Sequence, residues 1–183
     1  MTTYPAAPLL LCLDLQPVFL AAIPDSQRVH WRCSFALEAA KGLGLPVVFT
    51  EQVPNKLGHT AEDLLALCRE PEVLAKTAFS PFAEKKLAAH FRAKGLKHLL
   101  ICGLETPICV YQTAMDALKA GYKVTLLADC LGARRAADAA TVLAQLAHAG
   151  CHVLPAETVF YALVHEASHP FFRDYTKLVK KYG

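Results

Sequence analysis

Three side chains that can work together in nucleophilic chemistry follow three short apolar stretches of the sequence. Asp14 and Lys76 each come directly after such a stretch, and Cys109 lies a short distance beyond a third. A carboxylate can accept the proton of a thiol, and an ammonium group can stabilise the thiolate that forms. We therefore treat Asp14, Lys76 and Cys109 as candidate base, cation and nucleophile.

Of the three residues, Cys109 is the most specific indication of chemistry, because a helix start precedes it. Thr106 followed by Pro107 predicts a helix with Thr as its N-cap and Pro at its first position. Cys109 is then the third helical residue, where the positive end of the helix dipole favours a thiolate. Unpaired backbone N–H groups at a helix start can also hold an oxyanion. We expect Cys109 to be a thiolate near neutral pH, with Lys76 helping to keep it so.

Each of these residues also has an ordinary structural interpretation. Most free cysteines are small buried hydrophobic residues. Asp14 could be a cap or half of a structural ion pair, because a carboxylate beside an apolar run is rarely buried without a partner. Lys76 could be a surface lysine. Only the combination of the three points to chemistry.

The elements that must position these residues alternate between strands and helices. Apolar runs of strand length are followed by longer segments with helical spacing, several of which end in glycine. The predicted strands cover residues 8–14, 46–50, 72–76, 98–102, 123–128 and 152–154. The predicted helices cover residues 26–41, 61–68, 81–94, 107–120 and 135–149, and the tail from 157 also has helical character.

The strands are apolar throughout rather than alternating, which predicts a sheet buried on both faces. Together with the intervening helices, this pattern predicts an α/β fold with a parallel sheet and helices on both sides. Ligands in such folds bind beyond the carboxyl ends of the strands. We therefore expect Asp14, Lys76 and Cys109 to meet at that edge.

The length of 183 residues favours a single domain spanning residues 1–183, since domains usually contain about 100–200 residues. Hydrophobic residues make up 54% and charged residues 19%, which excludes a disordered chain and favours burial of apolar surface in a homo-oligomer. The net charge of +3 is too small and too evenly spread to indicate nucleic-acid binding.

The cysteines and the apolar segments indicate in which cellular compartment the protein is located. Seven cysteines without a CxxC pair indicate free thiols in a reducing compartment. No uncharged stretch of about 20 residues is present, so we predict no membrane span. The N-terminus MTTYPAAP lacks the basic region of a signal peptide. These features predict a cytoplasmic protein that does not bind membranes.

The residues around the three candidates resemble a known family. The segment from Gly103 to Tyr122, GLETPICVYQTAMDALKAGY, resembles the nucleophile segment of the isochorismatase-like cysteine hydrolases. Leu-Asp14-Leu-Gln16 and Lys76-Thr-Ala-Phe-Ser80 match in the family's order. A closer likeness, to the branch called isochorismatase domain-containing proteins, is carried by Thr50-Glu-Gln52, Lys56-Leu-Gly-His-Thr60, Cys109-Val-Tyr-Gln-Thr113 and His169-Pro-Phe.

The resemblance implies a three-layer α/β/α, Rossmann-like fold around a six-stranded, mainly parallel sheet. It implies a catalytic triad in which Asp14 is the base, Lys76 the cation and Cys109 the nucleophile, which forms an acyl-enzyme with an amide or related carbonyl. It further implies a cis peptide bond between Leu104 and Glu105, and an oxyanion hole made by the backbone N–H groups of Glu105 and Cys109. Members of the family commonly form dimers, tetramers or larger assemblies.

Metal and cofactor binding are not expected. Metal-binding nicotinamidases of this family carry an Asp-x-His element where this chain, from Thr50 to His59, reads TEQVPNKLGH. One histidine does not make a metal site, so we predict no zinc, no cofactor and no nicotinamidase activity. The family's vinyl-ether cleavage belongs to members without the nucleophilic cysteine. His165-Glu-Ala-Ser-His169 matches the HExxH zinc pattern, but Pro170 disrupts the helix and no third ligand fits downstream.

The expected substrate is a small molecule with an amide- or ester-like group. Residues that could contact it are Gln16, Phe19, Gln52, Phe79 and Tyr111, each of which could instead pack locally. Arg134 could bind an anionic substrate, and Cys130 could approach the site. Two other functions stay open: a non-catalytic scaffold or regulatory protein that retains the triad by descent, and a thiol redox protein that pairs Cys109 with Cys102 or Cys130.

Overall fold

The computed structural model describes residues 7–183. Residues 1–6 lie outside this range, so the start of the predicted domain and most of the segment considered as a signal peptide are not described. The strands are β1 (Leu9–Leu13), β2 (Val47–Gln52), β3 (Glu72–Lys76), β4 (His98–Gly103), β5 (Lys123–Leu131) and β6 (His152–Leu154). They form one sheet in the order β3-β2-β1-β4-β5-β6, and every neighbouring pair is parallel. The predicted α/β fold with a six-stranded parallel sheet is confirmed.

Nine α-helices occur among the described residues: α1 (Pro17–Leu20), α2 (Ser26–Gly42), α3 (Pro54–Leu57), α4 (Glu62–Leu65), α5 (Lys85–Ala93), α6 (Tyr111–Lys119), α7 (Ala136–His148), α8 (Ala156–Val164) and α9 (Phe172–Tyr182). A short 3-10 helix covers Pro81–Ala83, and a π-helical turn covers Thr106–Val110. No helix in residues 7–183 is long and apolar enough to cross a membrane.

The sheet separates two hydrophobic cores, which is why its central strands are apolar on both faces. On one face, side chains of β1 such as Leu10 and Cys12 pack with α2, α8 and α9, where Phe35, Phe160 and Tyr175 are buried. On the other face, the alternate side chains of β1 pack with α5, α6 and α7. The resulting three layers are those of the predicted architecture.

The structure differs from the predicted elements mainly at element ends. The predicted strand 123–128 continues to Leu131, because the pairing of β5 with β4 shifts register between Ile101 and Gly103. The predicted helix 107–120 begins as the π-helical turn, and the helical tail consists of α8 and α9. The four-residue helices α1 and α3 were not predicted, since elements this short show no apolar periodicity.

β1 and β4 approach each other closely at their carboxyl ends, and Gly103 makes this possible. Its φ angle is +110°, and a Cβ atom there would lie 2.1 Å from the carbonyl oxygen of Leu13. Only glycine tolerates both conditions. The two strand ends that carry Asp14 and the segment to Cys109 are thereby held side by side.

Candidate active site

Asp14 directly follows β1, and its carboxylate is buried. Its φ angle of +52° lies in the left-handed region, which Asp adopts more readily than most residues other than glycine. The side chain is only 2% exposed. The hydroxyl of Thr50, on β2, donates to Oδ1 at 2.8 Å, and the Lys76 ammonium donates to Oδ2 at 2.7 Å. The carboxylate is thus fixed by partners from two other strands.

Lys76 reaches this carboxylate from β3, two positions away in the sheet. Its extended side chain crosses the end of β2, where Gln52 Oε1 accepts a hydrogen bond from Nζ at 2.5 Å. The Gln52 amide in turn donates to the carbonyl of Thr77 at 2.7 Å. Lys76 is therefore a buried, fully paired cation rather than a surface lysine.

Cys109 lies in the π-helical turn that follows β4, facing Asp14 and Lys76. Lys76 Nζ lies 3.8 Å from Sγ, and the Asp14 carboxylate is close enough to act on the pKa of the thiol. The structure thus brings together the three residues singled out in the sequence, and the Leu104–Glu105 peptide bond beside them is cis.

Thr106 does not cap this turn as predicted. The N-cap position belongs to Glu105, and the Thr106 hydroxyl instead donates to the carbonyl of Gly132 at 2.9 Å. The Thr106 backbone N–H donates to the same carbonyl, also at 2.9 Å. Because β5 extends to Leu131, the carbonyl of Gly132 lies where it accepts both hydrogen bonds and fixes the start of the segment that carries Cys109.

The prediction that Cys109 is a thiolate near neutral pH is wrong. Burial and the nearby negative charge of Asp14 raise the pKa of the Cys109 thiol to about 12, although Lys76 acts in the opposite, predicted direction. Burial likewise raises the pKa of Asp14 despite the neighbouring Lys76 ammonium. The free site therefore holds a neutral thiol next to a carboxylate whose affinity for a proton is increased.

A cavity of about 250 Å³ opens over the sulfur. Its lining includes Asp14, Phe19, Gln52, Phe79, Glu105, Cys109 and Arg134, together with Ala22, Ile23, Leu104 and Ile108. Phe79 is 50% exposed at this cavity. A larger, shallower groove of about 670 Å³ lies at the start of β2 and contains none of the three reactive side chains.

Two of the predicted substrate-contacting residues lie outside the cavity lining. Gln16 is buried, and its amide group holds the backbone of β2: Oε1 accepts from Gln52 N at 2.7 Å and Nε2 donates to Gln52 O at 3.1 Å. Tyr111 packs against the hydrophobic core on the α6 side of the sheet. Sequence reasoning did not single out Ala22, Ile23, Leu104 and Ile108, which are ordinary apolar residues with no pattern that marks a pocket.

The cysteines proposed as redox partners have other neighbours. Cys102 Sγ lies 3.5 Å from Cys12 Sγ, and the Cys130 thiol donates to the carbonyl of Arg32. Both are fully buried. His59, considered as a lone metal ligand, hydrogen-bonds Glu51. Residues 7–183 contain no group of three or more His, Cys, Asp and Glu side chains able to hold a metal ion.

Fold and site together define a doubly wound α/β protein whose crevice lies at the switch point between β1 and β4, where such folds bind ligands. A family model described as the isochorismatase domain matches residues 8–158. The chain therefore belongs to the isochorismatase family and has a hydrolase-like fold.

Relatives and solved structures agree with this assignment. Isochorismatase domain-containing protein 2A of Mus musculus is 32% identical over 179 residues, covering 97% of this chain and 84% of the mouse protein. The structure of MAR1 ribonuclease from Caenorhabditis elegans is 28% identical, with a TM-score of 0.89 over 98% of this chain and 93% of that one. The YcaC protein of Escherichia coli, described as an octameric hydrolase of unknown specificity, has the same fold: TM-score 0.82, 21% identity, and coverage of 96% and 93%.

Proposed function

We propose that this protein is a metal-independent cysteine hydrolase of a small amide- or ester-like substrate. The observation that carries the proposal is that the Lys76 ammonium contacts both the Asp14 carboxylate and the Cys109 sulfur, while Asp14 and Cys109 line the same cavity of small-molecule size. A nucleophile, a base and a fixed cation in hydrogen-bonding contact are the groups that acyl transfer needs.

The reaction begins with a neutral thiol. As Sγ of Cys109 attacks the substrate carbonyl, its proton moves to Asp14, and the Lys76 ammonium compensates the negative charge that remains. Asp14 then gives this proton to the departing amine or alcohol, leaving an acyl thioester. Asp14 next removes a proton from the water that attacks the thioester, and returns it to the sulfur when the carboxylic acid leaves.

The developing negative charge on the carbonyl oxygen needs hydrogen-bond donors. We assign this role to the backbone N–H groups of Glu105 and Cys109, at the start of the turn Thr106–Val110. Glu105 and Cys109 both line the cavity in which the substrate carbonyl would lie, which supports this assignment. Removing one donor from such a hole typically lowers kcat by about 100- to 1000-fold.

Acyl trapping tests the proposal. The protein is mixed with a panel of small aliphatic amides and esters, quenched rapidly, and examined by intact mass and peptide mapping. We expect an acyl adduct on Cys109 and loss of hydrolysis by at least about 1000-fold in Cys109→Ser. Cys68→Ser, at a half-buried cysteine far from the triad, is the matched control and should behave as the unsubstituted protein. Hydrolysis that survives Cys109→Ser would refute the mechanism.

The same measurements separate the alternatives. A redox protein should lose two hydrogens after mild peroxide, mapped to Cys109 and a second cysteine, whereas a scaffold should show neither adduct nor disulfide. An RNA oligonucleotide belongs in the panel because the Caenorhabditis elegans neighbour is called a ribonuclease. We expect no cleavage of RNA, since among the described lining residues of the cavity Arg134 is the single cation.

We further propose that the protein acts in the cytoplasm as a homo-oligomer. Seven cysteines in the thiol form support a reducing compartment. The octameric state of the Escherichia coli neighbour and the exposed large apolar side chains, among them Val18, Trp31 and Phe79, support assembly.

A further inference from the structure

Arg134 is the one positive charge on the wall of the catalytic cavity among the residues described there, and it is 53% exposed. It follows β5, on the stretch between Leu131 and the start of α7. Apart from Arg134, the polar lining groups are Asp14, Gln52, Glu105 and Cys109, and the remaining lining residues are apolar. Because Asp14 and Gln52 are already paired with Lys76, Arg134 is the lining group best able to bind a charged part of a substrate.

Glu105 holds Arg134 in a fixed position. The Glu105 carboxylate accepts hydrogen bonds from the backbone N–H of Arg134 at 3.1 Å and from its Nε at 3.0 Å. These contacts use one of the three guanidinium nitrogens, which leaves the two terminal nitrogens for a ligand. Glu105 lines the same cavity as Cys109, so the residue that orients the cation also borders the reactive sulfur.

We infer that the terminal nitrogens of Arg134 form a carboxylate-binding subsite, so that the substrate is a small amide or ester that itself carries an anionic carboxylate. The inference rests on the proposed function for the position of the reacting bond. A planar guanidinium with two free nitrogens matches the two oxygens of a carboxylate. The cavity of about 250 Å³ has room for such a compound but not for a large one.

Alkylation of Cys109 with pairs of reagents that match in shape and differ in charge tests this subsite. Iodoacetate and iodoacetamide differ only in the charged group, and 3-iodopropionate and its amide extend the reach by one carbon. For each pair, the rate constant of the acid with Cys109 is divided by the rate constant of the amide. This ratio is then divided by the same ratio measured with glutathione. We expect a normalised ratio above one for at least one pair. It should fall by about 10- to 100-fold in Arg134→Gln, the factor typical of a hydrogen bond to a charged group.

Arg135→Gln is the matched control because it removes the same charge one residue away. Arg135 pairs with Asp138 on α7, and it does not line the cavity. Its substitution should leave the normalised ratio unchanged. A ratio of one or below in the unsubstituted protein, or an equal fall in both arginine variants, would overturn the subsite, because only general charge attraction would then remain.

A binding measurement separates this inference from the proposed function. Calorimetry on Cys109→Ser compares succinamate with succinamide, which have the same shape and differ in one charge. We expect succinamate to bind at least about 10-fold more tightly, and Arg134→Gln to remove the difference. If succinamate binds more tightly but the unsubstituted protein forms no acyl adduct with any amide or ester of the panel, the hydrolase is refuted and the subsite stands. Acyl transfer from both compounds with no preference, or no binding of succinamate, would refute the subsite.

Discussion

A thiol that lies between a carboxylate and an ammonium group has a pKa set by burial and by the balance of the two charges. At Cys109, burial and Asp14 outweigh Lys76, and the pKa rises to about 12. Sequence reasoning expected Asp14 nearby but weighed only the helix start and the lysine for the pKa, because the sequence does not show how deeply the thiol is buried. In the proposed mechanism, the nucleophile is therefore generated by proton transfer to Asp14 during attack and is not stored as a thiolate.

The first prediction concerns Asp14→Asn. A nearby carboxylate disfavours the thiolate, so removing its charge while Lys76 stays should lower the pKa of Cys109. We measure at pH 8, below the pKa of Cys109 in the unsubstituted protein. There, iodoacetamide should alkylate Cys109 of the variant at least about 10-fold faster, because a pKa lower by one unit raises the thiolate fraction about 10-fold. Hydrolysis should nevertheless be lost, because no base remains to take and return the proton.

The pH dependence of alkylation, followed by peptide mapping, is the measurement. In the unsubstituted protein the rate should keep rising through pH 10, whereas Asp14→Asn should level off at a lower pH. Asp63→Asn, at a carboxylate that is 67% exposed on α4, is the control and should reproduce the unsubstituted profile. A plateau below pH 8.5 in the unsubstituted protein would contradict the elevated pKa.

At the level of elements, the sequence predicted the site because its reactive residues follow strands. Asp14 directly follows β1 and Lys76 is the last residue of β3, so the parallel sheet alone brings them to one edge. The cavity wall was only partly predictable, since Ile23 and Leu104 come from connections whose paths are set by tertiary contacts. The role of Gln16 was also hidden, because nothing in the sequence shows that its amide holds the backbone of Gln52.

Gly103 provides the second prediction, at the junction of β1 and β4. Gly103→Ala should lower the free energy of unfolding by at least about 3 kcal/mol, because the new Cβ meets the Leu13 backbone in addition to the cost of a positive φ. Gly121→Ala is the matched control: its φ is +83°, but no atom lies within 4 Å of the added Cβ. It should cost only about 1–2 kcal/mol.

Urea denaturation of both variants measures the difference. If Gly103→Ala does not yield folded protein while Gly121→Ala does, the ranking stands. Equal stabilities of the two variants would show that the β1–β4 junction relaxes freely, and the close approach would then not be what holds Asp14 beside the nucleophile segment.

For the whole molecule, the composition predicted that a second subunit covers some apolar surface, and α7 carries exposed apolar residues that could form such a contact. Only Leu146 of this 13-residue helix is buried. Ala137, Ala140, Ala144 and Ala147 are exposed, three or four residues apart and hence on one side of the helix. Small side chains in this arrangement allow another helix to approach closely. The pattern of one sequence does not contain the identity of the partner helix, because a contact between copies depends on two chains.

The third prediction is that the protein in solution has a mass that is a multiple of 19.9 kDa and that Ala140→Glu reduces it. A charged side chain in the middle of the alanine face would be buried without a partner in a helix–helix contact, which is strongly unfavourable. Light scattering after size-exclusion chromatography measures the mass. Ala89→Glu introduces the same change on the exposed side of α5, between charged residues, and should leave the mass unaltered. A monomeric unsubstituted protein would refute the assembly, and an oligomer that resists Ala140→Glu would move the interface away from α7.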